Sequence, residues 1–308
     1  MCRMSQPTMI QVLGPTGVGK SAVAVAVALA IGGEVISADS MQVYRDFNIG
    51  TGKLKPEEMA GVPHHLIDCL EDCSQFNAAK FLREAHACAL DISARGAVPI
   101  VCGGTALYLS AMIRGIFPES APRRVSRERL KRIGRRRGLD FLWRLLDAHD
   151  PEYARKVGHR DAVRIIRGLE IYYNQGLPPT EIFKKSVTPF AGCRFFRFGL
   201  YRDREELYCR IERRVDAMVQ SGLIDEVSSL RGRYPPDCPP FSSLGYKEAG
   251  LFLDGKISLE EAVDLIKRNS RRFAKRQLSW FRQERDIHWF HADRIDGILE
   301  FLEGEKPW

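Results

Sequence analysis

The sequence predicts an α/β fold: a mostly parallel sheet flanked by helices, with an all-helical insertion. Three observations carry this expectation. Short apolar runs alternate with helix-period stretches through the N-terminal third; the first run enters a glycine-rich loop; and from about Arg114 the chain turns polar, arginine-rich and helical until strand pattern returns at Cys193.

The elements follow in order. "MIQVLG", Met9–Gly14, is a short apolar strand running into the loop. "KSAVAVAVALAIGG" alternates strictly enough to fit a strand, but amides that cradle an anion continue into a helix N-terminus, so a helix ended by Gly32 and Gly33 is expected. "EVISAD", Glu34–Asp39, is the next strand, and a helical stretch from about Asn77 to Arg95 leads to another, "AVPIVCGG", Ala97–Gly104. Strands separated by helices pair in parallel and hold ligands at their carboxyl ends, which brings Asp39 and Gly103–Thr105 to the edge carrying the loop. The helical insertion is expected over 115–185, with the turn-forming "NQGLPPTE" near its end, leaving 1–114 and 186–308 as the core. "CRFFRFGLY", Cys193–Tyr201, resumes the sheet; Leu207, Ile211, Val215, Met218 and Val219 mark one face of an amphipathic helix; "HWFHAD", His288–Asp293, is a closing strand.

With 308 residues, 44% of them apolar and 28% charged, the chain can bury a real core as one large domain or two smaller ones. No run approaches the ~18 apolar residues of a membrane span, and "MCRMSQPT" lacks the apolar core of a secretory signal, so a cytoplasmic protein without membrane partners is expected. Cys2, Cys69, Cys73, Cys88, Cys102, Cys193, Cys209 and Cys238 show no paired C-x-x-C spacing, which argues against a zinc site and for reduced, structural thiols.

Net charge is +8 and its placement is informative. Arg123–Arg137 holds nine basic residues and one acid; Lys267–Arg285 holds eight and one, with Phe273, Trp280 and Phe281 interleaved. Either run alone fits a solvated helix face. Two together favour a polyanion, because Lys and Arg release counterions from phosphates and aromatics stack on splayed bases.

The loop Gly14, Pro15, Thr16, Gly17, Val18, Gly19, Lys20, Ser21 matches G-x-x-x-x-G-K-[ST] in full, giving the core a P-loop NTPase-like character. Its glycines let the backbone curl around phosphate, Lys20 supplies a point charge, and the Ser21 hydroxyl suits Mg²⁺. A kinase or ATPase also needs an acid after an apolar strand to hold the metal, yet "VPIVC" is followed by "GGTALY". The acid near the loop is Asp39, which reads either as a proton acceptor or as an Asx turn after a strand.

"GPTGVGKS", "DSMQVYRDFNIGTGK" (Asp39–Lys53), "PHHLID" (Pro63–Asp68), "GGTALY" (Gly103–Tyr108), "SLGYKE" (Ser243–Glu248) and "AKRQLSWFR" (Ala274–Arg282) together resemble the tRNA dimethylallyltransferase family, in order, from about Met9 to His291. The sequence carries no C-terminal zinc finger of the kind eukaryotic members have, so the resemblance is to the bacterial type. It implies transfer of a dimethylallyl group from dimethylallyl diphosphate to the exocyclic amine of the adenine just 3′ of the anticodon, with diphosphate leaving. It implies Asp39 as general base, with Thr16, Lys20, Arg214 and Mg²⁺ at the reacting groups and the diphosphate. Arg210 and Arg213 lie close enough to Arg214 to compete for that assignment.

The resemblance further implies tRNA contacts from Asp39, Ser40, Met41 and Gln42, from Thr105, which also reads as a helix N-cap, and from Arg127. It extends them to Val163, Arg164, Ile165, Ile166 and Arg167, to Ser243, Leu244, Gly245, Tyr246, Lys247 and Glu248, and to Lys275, Arg276, Gln277, Trp280 and Arg282. The insertion is then expected to clamp the anticodon stem, and the protein to act as a monomer. His64, His65 and His159 have no chemical role in this reading. Three rival activities remain compatible with the residues: prenylation of free adenine nucleotides, small-molecule or nucleotide phosphorylation, and RNA binding by a degenerate nucleotide site. The basic insertion speaks against the first, the missing acid after "VPIVC" against the second, and the intact Lys20–Ser21 pair against the third.

Overall fold

The computed structural model describes residues 8–117 and 125–305; Cys2, Arg123 and Arg124 lie outside them. The chain divides into two compact units, one comprising 113–188 and the other the remainder. In the larger unit β1 (Thr8–Leu13) leads through the glycine loop into α1 (Lys20–Ile31), ended by Gly32 at φ 66°, and then β2 (Gly33–Ser37). Next come α2 (Pro56–Met59), the edge strand β3 (His64–His65), α3 (Ala78–Ala94), β4 (Val98–Gly103) and α4 (Ala106–Arg114). The Asn77 side chain caps α3 by accepting from Lys80 N at 3.0 Å.

The smaller unit holds α5 (Arg127–Arg137), α6 (Leu139–His149), α7 (Pro151–Val157), α8 (Ala162–Gln175) and α9 (Pro179–Lys184). The larger unit resumes with β5 (Arg194–Tyr201), α10 (Arg204–Gln220), α11 (Leu223–Arg233), a 3-10 turn over Pro239–Ser242, α12 (Tyr246–Leu253), α13 (Leu259–Phe281), β6 (His288–His291) and α14 (Ile295–Glu305).

All six strands pair in parallel, in the order β3-β2-β4-β1-β5-β6. Central β1 is apolar nearly throughout because helices cover both faces of such a sheet, and Ile10, Val12 and Leu13 are fully buried. Each contributes about 1.5–3 kcal/mol by leaving water. The alternating run after the loop is a helix, and Val23, Ala24, Val25, Val27 and Ala28 are its buried residues. Strand β3 has no legible sequence signal. His65 Nε2 pairs with Glu34 Oε2 at 2.7 Å and His64 Nδ1 with Val62 O at 2.8 Å, so both histidines are structural.

In the smaller unit Leu130, Leu142, Leu146, Ala154, Ile165, Ile166 and Leu169 form a core of their own. The buried Asp150 caps α7 through Tyr153 N (2.9 Å) and also accepts from Thr180 N (2.7 Å) and Thr180 Oγ1 (2.8 Å). Among the described residues no helix is long and apolar enough to cross a membrane.

The expectation of uniformly reduced cysteines is corrected. Cys73 and Cys238, separated by 165 residues in sequence, form a disulfide with their Cα atoms 4.9 Å apart. Sequence spacing could not signal it, because the pair meets only once two distant loops are folded together. Closing so long a loop is worth about 2–5 kcal/mol. A Cys73–Cys238 linked peptide is therefore expected in non-reducing peptide maps, and a dithiol reductant should lower the thermal unfolding midpoint; a midpoint indifferent to reductant would remove the stabilising role.

Candidate active site

The glycine loop links β1 to α1 at the carboxyl end of the sheet. Gly17 (φ 80°) and Gly19 (φ 108°) take left-handed conformations that an L side chain resists, so the backbone can curl around an anion. Two arginines brace it: Arg202 Nε donates to Val18 O at 2.9 Å and Arg210 Nε to Gly17 O at 3.1 Å. Arg202 is held in turn by Glu206 and, at 2.8 Å, by Asp293.

Lys20 Nζ donates to Pro15 O at 2.8 Å. Burial pushes the Lys20 pKa down to about 8; the Arg214 cation pushes the same way, and the Asp39 carboxylate opposes it. Arg214 is itself lowered from its ordinary value by burial, again opposed by Asp39. Burial pushes the Cys102 thiol up to about 11, so it stays protonated beside the loop.

Asp39 lies just past β2. Its Oδ1 accepts from Met41 N at 2.8 Å and from Gln42 N at 3.4 Å, so the Asx turn is present, and both bonds fall on one carboxylate oxygen. A cleft of about 450 Å³ is lined by Thr16, Asp39, Thr105 and Arg214 together, with apolar wall from Ile211, Met218 and Phe273. A larger cavity of about 990 Å³ shares Thr16, Asp39 and Arg214 and adds Lys20, Ser21, Arg210 and Arg213. Of the three neighbouring arginines, Arg214 alone lines both cavities.

Where an acid would follow β4, α13 supplies Gln277 instead. Its Nε2 donates to Gly104 O at 2.8 Å and its Oε1 accepts from Thr16 N at 2.8 Å, tying the glycine loop to the Gly103–Thr105 turn. A Cβ at Gly104 would lie 2.4 Å from that Nε2, so the approach requires glycine. The Thr105 hydroxyl accepts from Ser40 N at 3.3 Å, joining the same turn to the Asp39 segment.

Ser40 and Met41 line the smaller cleft, as do Ser243, Leu244, Gly245, Lys247 and Glu248. Gln42 lines the larger cavity, its Nε2 donating to Thr51 O and Gly52 O, each at 3.3 Å. Lys275, Arg276 and Arg282 are exposed on or beside α13, with Trp280 half-buried. In the smaller unit Val163 is 80% exposed. Exposed Arg164 bonds Asp161, whose side chain caps α8. Arg127 and Arg167 both donate to Glu170 Oε2, at 2.8 and 2.7 Å.

Some residues expected to contact RNA have buried side chains. Ile165 and Ile166 pack in the core of the smaller unit, because α8 alternates an exposed face with a buried one. Tyr246 is buried against Phe47, their ring centroids 5.3 Å apart. The Glu248 carboxylate, 4% exposed, accepts from Gly245 N (2.9 Å) and Asn269 Nδ2 (2.8 Å) and so braces the cleft wall. Sequence reasoning missed Arg202 and the bridging by Gln277, because no local pattern marks a side chain whose partners are distant backbone atoms.

A family model described as IPP transferase matches residues 42–284. The chain is 41% identical over 305 residues to the tRNA dimethylallyltransferase of Geobacillus thermodenitrificans, covering 96% of each. It is 45% identical over 284 residues to that of Symbiobacterium thermophilum, covering 91% of this chain and 88% of the relative. Among solved structures, the full-length tRNA isopentenylpyrophosphate transferase from Bacillus halodurans superposes with a TM-score of 0.72 at 39% identity over 97% of each chain. A eukaryotic dimethylallyltransferase acting on tRNA gives 0.77 at 31% identity, over 93% of this chain and 74% of that one. With a glycine loop, an acid and an arginine opening on one cleft, and relatives of this identity along nearly its whole length, the chain belongs to the tRNA dimethylallyltransferase (IPP transferase) family.

Proposed function

We propose that this protein transfers the dimethylallyl group of dimethylallyl diphosphate to the exocyclic amine of the adenine 3′-adjacent to the anticodon in tRNA, with each cleft residue in a distinct role. The observation that carries the reading is that Asp39, Arg214 and Thr16 line the same cleft as an apolar wall, while Lys20 and Ser21 open on the cavity that shares them. The amine lone pair attacks the allylic carbon, the carbon–oxygen bond breaks, and its electrons stay on the departing diphosphate. The amine proton passes to Asp39, whose Oδ1 is already committed to the turn. Lys20, Arg214 and the loop amides stabilise the charge that grows on the leaving group.

Mg²⁺ fits the donor set. The Ser21 hydroxyl and the Asp39 carboxylate line one cavity, and Mg²⁺ keeps several waters and takes phosphate oxygens with only one or two protein ligands. When bound, it neutralises charge on the diphosphate. Ser21 is the residue that would hold it.

Helix α5 carries Arg127, Arg129, Lys131, Arg132, Arg135, Arg136 and Arg137, all exposed, and this supports the smaller unit as the holder of the anticodon stem. Reaching the amine takes the adenine out of its stack. A tRNA substrate suits the cytoplasm.

The decisive experiment supplies dimethylallyl diphosphate and Mg²⁺ with an anticodon stem-loop bearing adenine after the anticodon, with AMP in parallel, and ATP with phosphate acceptors as a third arm. Prenylated stem-loop is expected; prenylated AMP without prenylated stem-loop, or phosphoryl transfer alone, overturns the reading. Neutralising Arg129, Arg132 and Arg136 together should weaken stem-loop binding and lower its salt slope by roughly one for each phosphate no longer neutralised. An unchanged slope would leave α5 as a solvated face only.

A further inference from the structure

We propose that Glu226 is a positioning residue that sets Arg214 against the departing diphosphate through the loop Asn48–Gly52; this rests on the reading of Arg214 as a leaving-group contact. Glu226 lies in the first turn of α11, outside every motif singled out in the sequence. Its Oε2 accepts from Ile49 N at 2.8 Å and Asn48 N at 3.1 Å, and its Oε1 from Gly50 N at 3.3 Å and the Tyr246 hydroxyl at 2.5 Å. Four donors thus converge on one carboxylate, three of them successive backbone amides. Hydrogen bonds to an ionised acceptor are the strong kind, so this segment of loop is pinned.

Arg214 rests two residues beyond the pinned amides. Gly52 O accepts from Arg214 Nη2 at 3.4 Å and from Gln42 Nε2 at 3.3 Å. A Cβ on Gly52 would fall 1.6 Å from Arg214 Nη2, and one on Gly50 would fall 2.3 Å from Tyr246 Cε2. Both glycines therefore permit contacts that set the loop's depth: the Tyr246 ring supports it on one side and the Arg214 guanidinium lies on it at the other.

Electrostatics explain why the support is indirect. A carboxylate bonded directly to Arg214 would cancel the charge that the diphosphate needs. Among the described residues Arg214 bonds a backbone carbonyl and forms no ion pair, so its cation stays available to an anion. Glu226 places its own charge on the far end of the loop, where peptide amides and a hydroxyl absorb it. Position is thereby transmitted through the backbone while charge is not.

The test is a double-mutant cycle, with kcat, KM for dimethylallyl diphosphate, inhibition by diphosphate and unfolding midpoint measured for wild type, Glu226→Gln, Arg214→Lys and the double variant. Glu226→Gln turns one acceptor oxygen into a donor facing amides, and a displacement of about 1 Å in the loop is expected to lower kcat roughly tenfold to hundredfold. In the Arg214→Lys background the same change should cost no more than about twofold, because residues acting in series are non-additive. Equal losses in both backgrounds, or no loss from Glu226→Gln, overturns the proposal. An inactive wild type, or an Arg214→Lys variant as fast as wild type, instead removes the reading beneath it. Glu226→Asp keeps the charge but withdraws it from the loop, so it should give the same pattern at smaller size even where Glu226→Gln fails to fold.

Discussion

Replacing Asp39 by Asn should lower prenyl transfer by about 10²–10⁴-fold, the range a positioned general base supplies, while diphosphate binds nearly as before. Asn is the informative substitution because its carbonyl oxygen can still accept from Met41 N and Gln42 N, so the turn after β2 survives and only proton acceptance is lost. The electrostatic side effect has a defined direction. Asp39 holds the Lys20 and Arg214 pKa values up, so its removal makes Lys20 easier to deprotonate and moves the alkaline limit of diphosphate binding to lower pH. Single-turnover transfer together with diphosphate competition separates the two effects. An Asp39→Asn enzyme transferring at more than about a tenth of the wild-type rate would remove Asp39 as the base.

The second large effect belongs to Lys20. Lys20→Met should cost about 10²–10³-fold in transfer, comparable to losing one preorganised donor from a site of developing negative charge. Wild-type binding should also carry a pH signature. The free Lys20 pKa is depressed to about 8, and the cation is the form that holds diphosphate. Affinity is therefore full below about pH 7 and falls as pH rises through about 8, by at most about tenfold per unit, with bound ligand drawing the pKa back up. Lys20→Arg, whose cation persists at every accessible pH, should abolish that decline. A decline retained in Lys20→Arg would assign the titration elsewhere.

Much of the core was legible because its causes are local. A glycine loop between an apolar strand and a helix has few physical solutions, and the alternation of β and α segments makes the sheet parallel. The carboxyl-edge rule for parallel sheets brings Asp39, the Gly103–Thr105 turn and the glycine loop to one side, and the structure lines one cleft with Thr16, Asp39 and Thr105. Arg214 lines it too, and of the three neighbouring arginines it alone lines both cavities, a difference that helical spacing does not show.

Local sequence determined the glycine loop, the parallel core, the helical character of the inserted segment and the concentration of positive charge, because each follows from a few neighbouring residues and their periodicity. Tertiary structure alone decided the rest. Gln277 reaches the loop from 261 residues away, Glu226 anchors amides at a separation of 176 residues or more, and Cys73 meets Cys238 across 165. It also turned Ile165, Ile166 and Tyr246 inward. The physical reason is common to all of these: a side chain's partner is set by which surfaces pack together, and packing is a property of the whole folded unit, not of any short stretch of chain.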